Sequence, residues 1–578
     1  MKDRDTAGKL LKGALILSAA AVITKLIGTL QKIPMQNIGG DGVFGIYNTV
    51  YPFYTILITI AAAGFPVAIS KFVAEYETAG DRETGQRVIK LSSLLLGGFG
   101  LLIGLLTYTG APLLGRLIDN AHVVPSIRAA AAAFLFVPVM SALRGYFQGL
   151  QNMVPTAVSQ VTEQMVRVAV MIVLLLFMVR QGWGPEWIAA GAILGSAAGG
   201  AAGLVVMLLY WKAHIRRPGR LAADVHQTAA SGGEPAVTLA EKAAARVEIT
   251  VSLAESEYGE RSRPADNREL IAALLRYALP VCLGALAVPL INLVDSFTVP
   301  RLLKREGLDE AGVMVLFGVY NRGLPLVQLV MMFATTLSAL FIPSLAEAKL
   351  RGEHELVRKQ CELSLRWFWL LGLASAAGLA VLAEPINIML YTDNSGSTVM
   401  SWMALTAAGG SVSIISAALL QGLGAVRAPA AHMLAAAAAK AALNWLLVPS
   451  LGTTGAAIAG AAAYLLAAAL NIALLARLAG LRLTWSAAVL KPALALAAMA
   501  MAAAGTAWGA GAVLGALGAA DGGRTSAAAA SLLGVLAGAA VFMLAAVRLR
   551  LLTEAELAAL PKLGPPLVQL LHKVRLLS

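Results

Sequence analysis

Charged side chains inside long apolar segments are the residues of this sequence whose chemistry is most informative. The basic ones are Lys25, Arg144, Arg167, Arg276, Arg322 and Lys440, and the acidic ones are Glu163 and Asp295. A charge at bilayer depth costs about 2.5 to 3.5 kcal/mol, so each is expected to face protein or a water-filled cavity. The basic surplus favours an anionic ligand, because guanidinium groups match phosphate oxygens in two-point geometry.

Several of these residues have a structural interpretation beside the functional one. Glu163 and Arg167 are four residues apart on one predicted helix and could neutralise each other, or act as a functional pair. Arg144 could bind the ligand or anchor its helix at the inner surface. Lys25 lies at mid-span and is expected to face a cavity, whereas Lys32 is expected to reach outward to the interface.

The predicted seventh helix combines two charges with two prolines. Arg276 and Asp295 lie near its ends, and Pro280 and Pro289 lie between them. Proline removes a backbone donor and permits bending. We therefore predict that the prolines form a hinge, with Glu163 and Asp295 as ion-coupling groups or charge partners for the basic residues.

Motifs for catalysis, metals and cofactors are almost absent. Two cysteines, Cys282 and Cys361, and six histidines cannot form a disulfide framework or a zinc cluster. The G-x-G-x-x-G pattern at 40–45 joins two apolar segments and follows no strand, so it does not indicate a nucleotide site. Without a P-loop, energy must come from a Na⁺ or H⁺ gradient, the membrane potential or substrate flux. We predict no enzyme activity and no cofactor.

Composition places these charges in a membrane protein. Hydrophobic residues make up 58% and charged residues 13% of 578, too apolar for one water-soluble core. Apolar runs predict fourteen transmembrane helices in an all-α integral membrane fold. They lie near 11–33, 45–70, 88–108, 127–148, 155–179, 186–212, 271–298, 312–343, 362–383, 399–422, 428–449, 454–478, 488–508 and 527–547.

The distribution of Lys and Arg predicts the orientation. With a cytoplasmic N-terminus, the inner segments hold 29 of these residues and the outer ones hold 6. Both termini are then cytoplasmic in the plasma membrane. The net charge of +13 is explained by topology, so nucleic acid is not expected as a partner.

The helices group into five predicted regions. They are an N-terminal six-helix bundle (1–212), a cytoplasmic linker (213–269) with a surface helix around 238–258, a C-terminal six-helix bundle (270–480), two additional helices (481–550) and a cytoplasmic amphipathic tail (551–578). The linker is rich in Ala, Glu, Arg and Gly, a composition typical of mobile connections.

The two bundles carry an internal repeat. Motifs recur at a constant offset of about 273 residues, pairing Gly45, Tyr47, Asn48 and Pro52 with Gly318, Tyr320, Asn321 and Pro325, Gln148-Gly149 with Gln421-Gly422, and Arg167 with Lys440. Six helices per unit place both units in the same orientation, related by an axis along the membrane normal. That parallel pseudo-twofold plan is typical of alternating-access transporters, although channels also contain repeats.

Four segments resemble a known family. They are 33–42 (IPMQNIGGDG), 51–54 (YPFY), 64–71 (GFPVAISK) and 144–149 (RGYFQG). The sequence resembles the stage V sporulation protein B and polysaccharide biosynthesis family, a branch of the multidrug, oligosaccharidyl-lipid and polysaccharide exporter superfamily that includes lipid II flippases. The resemblance covers essentially the whole chain.

The resemblance implies a V-shaped pair of six-helix bundles that flips an undecaprenyl-pyrophosphate-linked glycan. Family cavities carry basic residues in the first, second and eighth helices, for which Lys25 and Arg322 are candidates. The second helix has no internal basic residue here, which leaves room for a glycan other than the peptidoglycan precursor. We expect the pyrophosphate to dock on five residues while the lipid tail stays in the bilayer. They are Lys25, Arg144, Arg167, Arg276 and Arg322.

Three alternatives remain open from the sequence. A cation-coupled multidrug exporter of the same fold would need cavity carboxylates for cationic drugs. A membrane glycan polymerase or ligase would need a substantial outer loop, and the predicted outer loops are short. A non-transporting scaffold in cell-wall or spore assembly would move no substrate.

Overall fold

The computed structural model describes residues 2–62, 64–216, 266–481, 489–516 and 523–551, and these ranges contain helices and turns but no strand. Most of the predicted linker and nearly all of the predicted tail lie outside the described residues, as does the surface helix around 238–258. We call residues 2–216 the first half and residues 266–481 the second half.

The first half contains eight α-helices within its described residues. They are α1 (Lys2–Leu30), α2 (Lys32–Ala62), α3 (Gly64–Thr78), α4 (Arg82–Ile118), α5 (Val124–Ala131), α6 (Val137–Gly149), α7 (Val154–Arg180) and α8 (Pro185–Ile215). The predicted fourth helix, 127–148, is interrupted by a 3₁₀ turn at Ala132–Leu135. Pro138 follows that turn in the first turn of α6, where its missing N–H costs no helical hydrogen bond.

The second half also contains eight α-helices within the part that the structure describes. They are α9 (Asn267–Ala285), α10 (Ala287–Arg305), α11 (Glu310–Asn321), α12 (Leu324–Leu350), α13 (His354–Val381), α14 (Ala383–Tyr391), α15 (Ser397–Gly422) and α16 (Ala428–Ala479). Two further helices follow, α17 (Lys491–Ala516) and α18 (Arg524–Arg548). The run predicted at 312–343 is divided between α11 and α12, with Pro325 in the first turn of α12.

Eleven helical stretches of the described chain are long and apolar enough to cross a membrane. One of them, Ala428–Ala479, has 52 residues and bends at Gly452, which adopts a positive φ of 56°. At 1.5 Å per residue it is about 78 Å long, enough for two crossings of a hydrocarbon core roughly 30 Å thick. The number of fourteen spans stays a prediction.

The two halves make their tightest contact where α2 meets α11. A Cβ on Gly45 would lie 1.9 Å from the Met314 carbonyl oxygen, and one on Gly318 would lie 2.0 Å from the Asp41 carbonyl oxygen. Only glycine permits this backbone approach. The contact is reciprocal, because each half supplies one glycine and one opposing carbonyl.

A second pair of glycines makes matching contacts inside each half. A Cβ on Gly149 would lie 2.7 Å from the Ser70 carbonyl oxygen, and one on Gly422 would lie 3.0 Å from the Ile342 carbonyl oxygen. The motifs that recur in the sequence at nearly constant spacing therefore make the same kind of helix–helix contact in both halves.

The predicted seventh helix is interrupted at Leu286 and connects the halves. Its first segment, α9, packs on the first half, where a Cβ on Gly64 would lie 2.2 Å from the Ala278 carbonyl oxygen. Its second segment, α10, packs mainly along α16 in the second half. Pro280 lies inside α9 and Pro289 lies in the first turn of α10, on either side of the interruption.

The glycine contact between α2 and α11 gives a direct test of the packing. We expect Gly45→Ala and Gly318→Ala each to lower the stability of purified protein by roughly 1 to 3 kcal/mol, because the added methyl group has to push two backbones apart. Thermal unfolding in detergent measures the effect. Gly110→Ala in α4 is the matched control, since its Cβ would meet nothing within 4 Å. Equal melting temperatures for all three variants would contradict the contact.

Candidate functional site

A cavity of about 930 Å³ lies between the two halves. It follows α12 from Leu324 to Ile342, which corresponds to about 27 Å of helix, close to the thickness of a bilayer core. Helices α1, α2 and α7 form its wall on the first half, and α10, α11, α12, α15 and α16 form its wall on the second half. The cavity is therefore large enough to hold a polar group at membrane depth.

The first-half wall is basic. Lys25, Lys32 and Arg167 line it, together with the amides of Gln160 and Gln164. Among the described residues the Lys25 ammonium group has no hydrogen-bond or ion-pair partner, and the Lys32 ammonium group donates a hydrogen bond only to the neutral Gln328 Oε1 at 3.4 Å. These two ammonium groups therefore face the cavity without an acid beside them.

The expectation that Lys32 reaches outward to the interface is wrong. Its side chain is buried, with 3% exposure, and its Nζ lies 5.8 Å from the centre of the Tyr51 ring. Lys25 and Lys32 are two helical turns apart and point to the same side of the chain. That spacing is the signal that could have placed both lysines in the cavity.

Arg167 belongs to a cluster with one acid and two guanidinium groups. Arg167 Nη2 lies 2.6 Å from Glu163 Oε1, and Arg144 Nη2 lies 2.9 Å from Glu163 Oε2. Arg144 also donates to Ser159 Oγ. Arg167 Nε is buried and has no hydrogen-bond partner among the described residues.

The second-half wall is mostly uncharged. It presents small residues and four methionines, whose flexible thioethers adapt to ligands of varied shape. The methionines are Met331, Met332, Met403 and Met433. The charged residues on this wall are Asp295 and Lys440, and Lys440 Nζ lies 2.6 Å from Asp295 Oδ2. One wall therefore carries the net charge and the other is neutral.

The charges in and next to the cavity do not cancel. The basic residues are Lys25, Lys32, Arg144, Arg167 and Lys440, and the acidic residues are Glu163 and Asp295. Three positive charges therefore remain without a compensating acid in this part of the structure. The described residues contain no group of three or more His, Cys, Asp or Glu side chains placed to hold a metal ion.

The five predicted binding residues do not come together. Lys25 and Arg167 line the cavity, whereas Arg144, Arg276 and Arg322 are absent from its lining. Arg276 lies on an exposed face of α9, and Arg144 is held behind Arg167 by Glu163 and Ser159. Lys32 and Lys440 occupy the wall instead, and Lys440 is the position that the sequence repeat pairs with Arg167.

Arg322 connects the halves and does not face the cavity. Its side chain is 1% exposed and donates two hydrogen bonds to Asp41 of α2, at 2.5 and 2.9 Å, and two to Asp393 beyond α14, at 2.7 and 3.0 Å. The guanidinium group beside Asp393 lowers the pKa of that carboxyl group to about 2. We call these three residues the Arg322 cluster. From the sequence alone, Arg322 at the end of α11 cannot be distinguished from a residue that lines the cavity, because Asp41 and Asp393 lie far from it in the chain.

A second set of polar contacts joins the halves at the same end. Lys304 Nζ lies 3.0 Å from Asp119 Oδ1 and 2.9 Å from Glu310 Oε1. Asn120 Nδ2 donates to the Glu310 carbonyl oxygen at 2.8 Å, and the Ala121 N–H donates to Glu310 Oε2 at 2.7 Å. With the Arg322 cluster and the paired glycines, these contacts close this end of the molecule, which we call the sealed end.

Loss of the Arg322 cluster is expected to open the sealed end. Arg322→Gln leaves Asp41 and Asp393 without a cation, at a cost on the order of 3 kcal/mol after allowing for the 46% exposure of Asp393. We expect a cysteine introduced at Thr24 in the cavity to react faster with a membrane-impermeant maleimide added from the sealed end of oriented vesicles. Arg301→Gln, on an exposed face of α10, is the control. Equal labelling rates in both backgrounds would show that the cluster does not hold the end closed.

Comparison with known proteins agrees with this architecture. Residues 10–230 match the family model described as polysaccharide biosynthesis protein. The uncharacterized membrane protein YabM of Bacillus subtilis is 33% identical over 462 residues, covering 80% of this chain and 79% of that protein. The lipid II flippase MurJ of the same organism is 28% identical, covering 82% and 84%, and stage V sporulation protein B is 27% identical, covering 78% and 80%.

Two solved structures share the fold. A lipid II flippase MurJ in an inward closed conformation has a TM-score of 0.60 at 11% identity, covering 92% of this chain and 98% of that one. A multidrug resistance MATE family transporter in an inward-facing conformation has a TM-score of 0.59 at 15% identity, covering 80% and 97%. These names are of a flippase and a transporter, not of enzymes. The chain belongs to the polysaccharide biosynthesis protein family, and it is a multi-pass membrane protein with the transporter fold found in lipid II flippases and multidrug exporters.

Proposed function

We propose that this protein is a flippase that moves an undecaprenyl-pyrophosphate-linked glycan across the plasma membrane by alternating access. The observation that carries the proposal is the basic wall of the cavity, where Lys25 and Lys32 face the space without an acidic partner. A pyrophosphate is an anion that compact ammonium groups and guanidinium forks both bind. Desolvation inside the membrane strengthens that attraction.

The docking set differs from the one that the sequence predicts. Lys25, Lys32 and Arg167 line one wall of the cavity, where the same ligand could contact all three. Arg144 shares Glu163 with Arg167, so it supports the positive charge of the cluster from behind. Arg276 and Arg322 have no part in this docking set.

The neutral second-half wall suits the remainder of such a substrate. A lipid-linked glycan differs among pathways in its sugars while the pyrophosphate is constant. A charged wall that binds the constant group, opposite a wall of methionines and small residues, accommodates that variation. Lipid II is the substrate in the name of one relative, and the lipid tail would remain among membrane lipids.

Alternating access requires two similar bodies that move about a central site. The reciprocal Gly45 and Gly318 contacts, and the matched Gly149 and Gly422 contacts, support two parallel six-helix repeats followed by two extra helices. We place both termini in the cytoplasm on the Lys and Arg bias, so that the sealed end faces outward. In this proposed orientation the described state is inward-facing.

The interrupted seventh helix is the element that would couple the two bodies. Because α9 packs on the first half and α10 mainly on the second, relative rotation of the halves would bend the chain near Leu286. Pro280 and Pro289 flank that point and weaken the backbone hydrogen bonding there. We therefore retain them as hinge residues in the proposal.

A multidrug exporter that binds cationic drugs is the main alternative, and the MATE-like fold is its support. Such an exporter needs a carboxylate available in the cavity. Asp295 is already bound by Lys440, and Glu163 is bound by two arginines. The positive surplus would also repel a cation. A scaffold without transport would need no charged cavity at membrane depth.

Transport in proteoliposomes tests the proposal. We expect Lys25→Ala and Lys32→Ala each to weaken the apparent affinity for a fluorescent polyprenyl-pyrophosphate glycan, as measured by its flipping, by roughly 10- to 100-fold. Each substitution removes a contact between charged groups that is worth about 1.5 to 3 kcal/mol. Arg116→Gln removes a charge from an exposed position of α4 and serves as the control. Unchanged flipping in both lysine variants, or transport of cationic dyes by the parent protein, would overturn the proposal.

A further inference from the structure

Lys440 and Asp295 form an ion pair on the cavity wall. In the described residues Asp295 pairs with this one cation, whereas Glu163 pairs with two. Lys440 Nζ lies 2.6 Å from Asp295 Oδ2 and 3.1 Å from the Ile291 carbonyl oxygen. Tyr320 donates its hydroxyl hydrogen to Asp295 Oδ2 at 2.7 Å, and Asn444 Nδ2 donates to Asp295 Oδ1 at 3.1 Å. The ammonium group is thus held by oxygens and shielded from the bilayer.

These contacts resemble the surroundings of a small metal cation more than those of a substrate-binding lysine. Lys440 is 3% exposed and Asp295 is 6% exposed. Lys440 is bonded to a carboxylate and a backbone carbonyl, the oxygen types that hard cations also select. Asn444 Oδ1 is a buried acceptor with no partner among the described residues. Without the ammonium group, the site would present the Asp295 carboxylate, the Ile291 carbonyl oxygen and the Tyr320 hydroxyl oxygen beside the cavity.

The Glu163 cluster provides an internal contrast. Glu163 binds two guanidinium groups, so removing one leaves the carboxylate paired with the other. Asp295 binds a single cation, so removing Lys440 leaves a buried carboxylate uncompensated. Such a carboxylate must either take up a proton or recruit a cation from water in the cavity. The outcome distinguishes a site shaped for a cation from a simple buried acid.

We propose that Lys440 is a tethered cation: its ammonium group occupies an oxygen-lined site of the second half that would otherwise bind a monovalent metal ion. The protein then needs no Na⁺ at this site, and the positive charge cannot dissociate during transport. The ammonium group fastens α10 to α16 permanently, because Ile291 and Asp295 lie on α10 and Lys440 lies on α16. In this protein the free energy for movement would come from the substrate gradient or the membrane potential and not from Na⁺ bound here.

The test is to vacate the site and offer Na⁺. We expect the melting temperature of purified Lys440→Ala to rise by roughly 2 to 4 °C when choline chloride is replaced by NaCl at constant total salt, since a ligand that binds only the folded state stabilises it. The parent protein and Lys440→Arg should show no difference between the two salts. Lys440→Met fills the vacated space with an apolar chain, and the double variant Lys440→Ala/Asp295→Asn lacks the carboxylate, so neither should respond to Na⁺.

Three outcomes would overturn the proposal. They are a Na⁺-specific stabilisation of the parent protein, no Na⁺ response of Lys440→Ala, and stabilisation of Lys440→Ala by acid alone, which would mean that Asp295 takes up a proton. If Lys440→Ala does not fold, the comparison of the parent protein in the two salts still decides, because a Na⁺ response there contradicts a permanently occupied site.

A transport measurement extends the test and rests on the proposed function. Flipping by the parent protein should proceed at the same rate in NaCl and in choline chloride, whereas Lys440→Ala should be roughly tenfold faster in NaCl, the effect of one contact between charged groups. The two hypotheses fail separately. If the parent protein flips no lipid-linked glycan but the salt-dependent melting behaves as expected, the proposed function is wrong and the tethered cation stands.

Discussion

The cost of placing a charge in hydrocarbon is the constraint on which this structure depends. Every ionised group inside the membrane must find an opposite charge, a set of polar atoms or water. Glu163, Asp295 and Arg322 satisfy this requirement by pairing within the protein. Lys25 and Lys32 do not pair with an acid, and they lie on the wall of the cavity between the halves. The water-filled cavity therefore solvates these two ammonium groups when no ligand is bound.

Backbone approach between the halves determines where that cavity can be. Glycines on α2 and α11 let two helices meet at the sealed end, and the Arg322 cluster adds charge pairing across the same junction. The seventh helix, divided into α9 and α10, packs on both halves. The halves meet at the sealed end and leave a cavity along α12 that both of them line. Relative movement of the halves would close this cavity or open it to the other side.

Much of the fold follows from the sequence because long apolar runs can form little except membrane helices. The helices α7, α8 and α15 lie within a few residues of their predicted limits. The interruptions at Ala132–Leu135 and between α11 and α12 were not predicted, because hydropathy averages over a break of one turn. The spacing of Gly45 and Gly318 indicated a repeat, but only the structure shows that the two glycines face each other's helices.

The site was less predictable than the fold, since sequence identifies a charge but not its partner. Arg322 and Arg167 look alike as basic residues in apolar helices, yet Asp41 and Asp393 hold the first away from the cavity. The position of Lys32 near a predicted helix end favours the interface, whereas its two-turn spacing from Lys25 favours the cavity by placing both lysines on one face. Pairing across the chain depends on tertiary contacts that periodicity does not encode.

The central claim, that the cavity holds an anionic lipid-linked head group, is tested most directly by native mass spectrometry of lipids that remain bound to the purified protein. The account predicts a retained polyprenyl pyrophosphate species that is lost from a Lys25→Ala/Lys32→Ala double variant while ordinary phospholipids remain in equal amount. Retention of the same species by the double variant, or a cationic ligand in its place, would contradict the account.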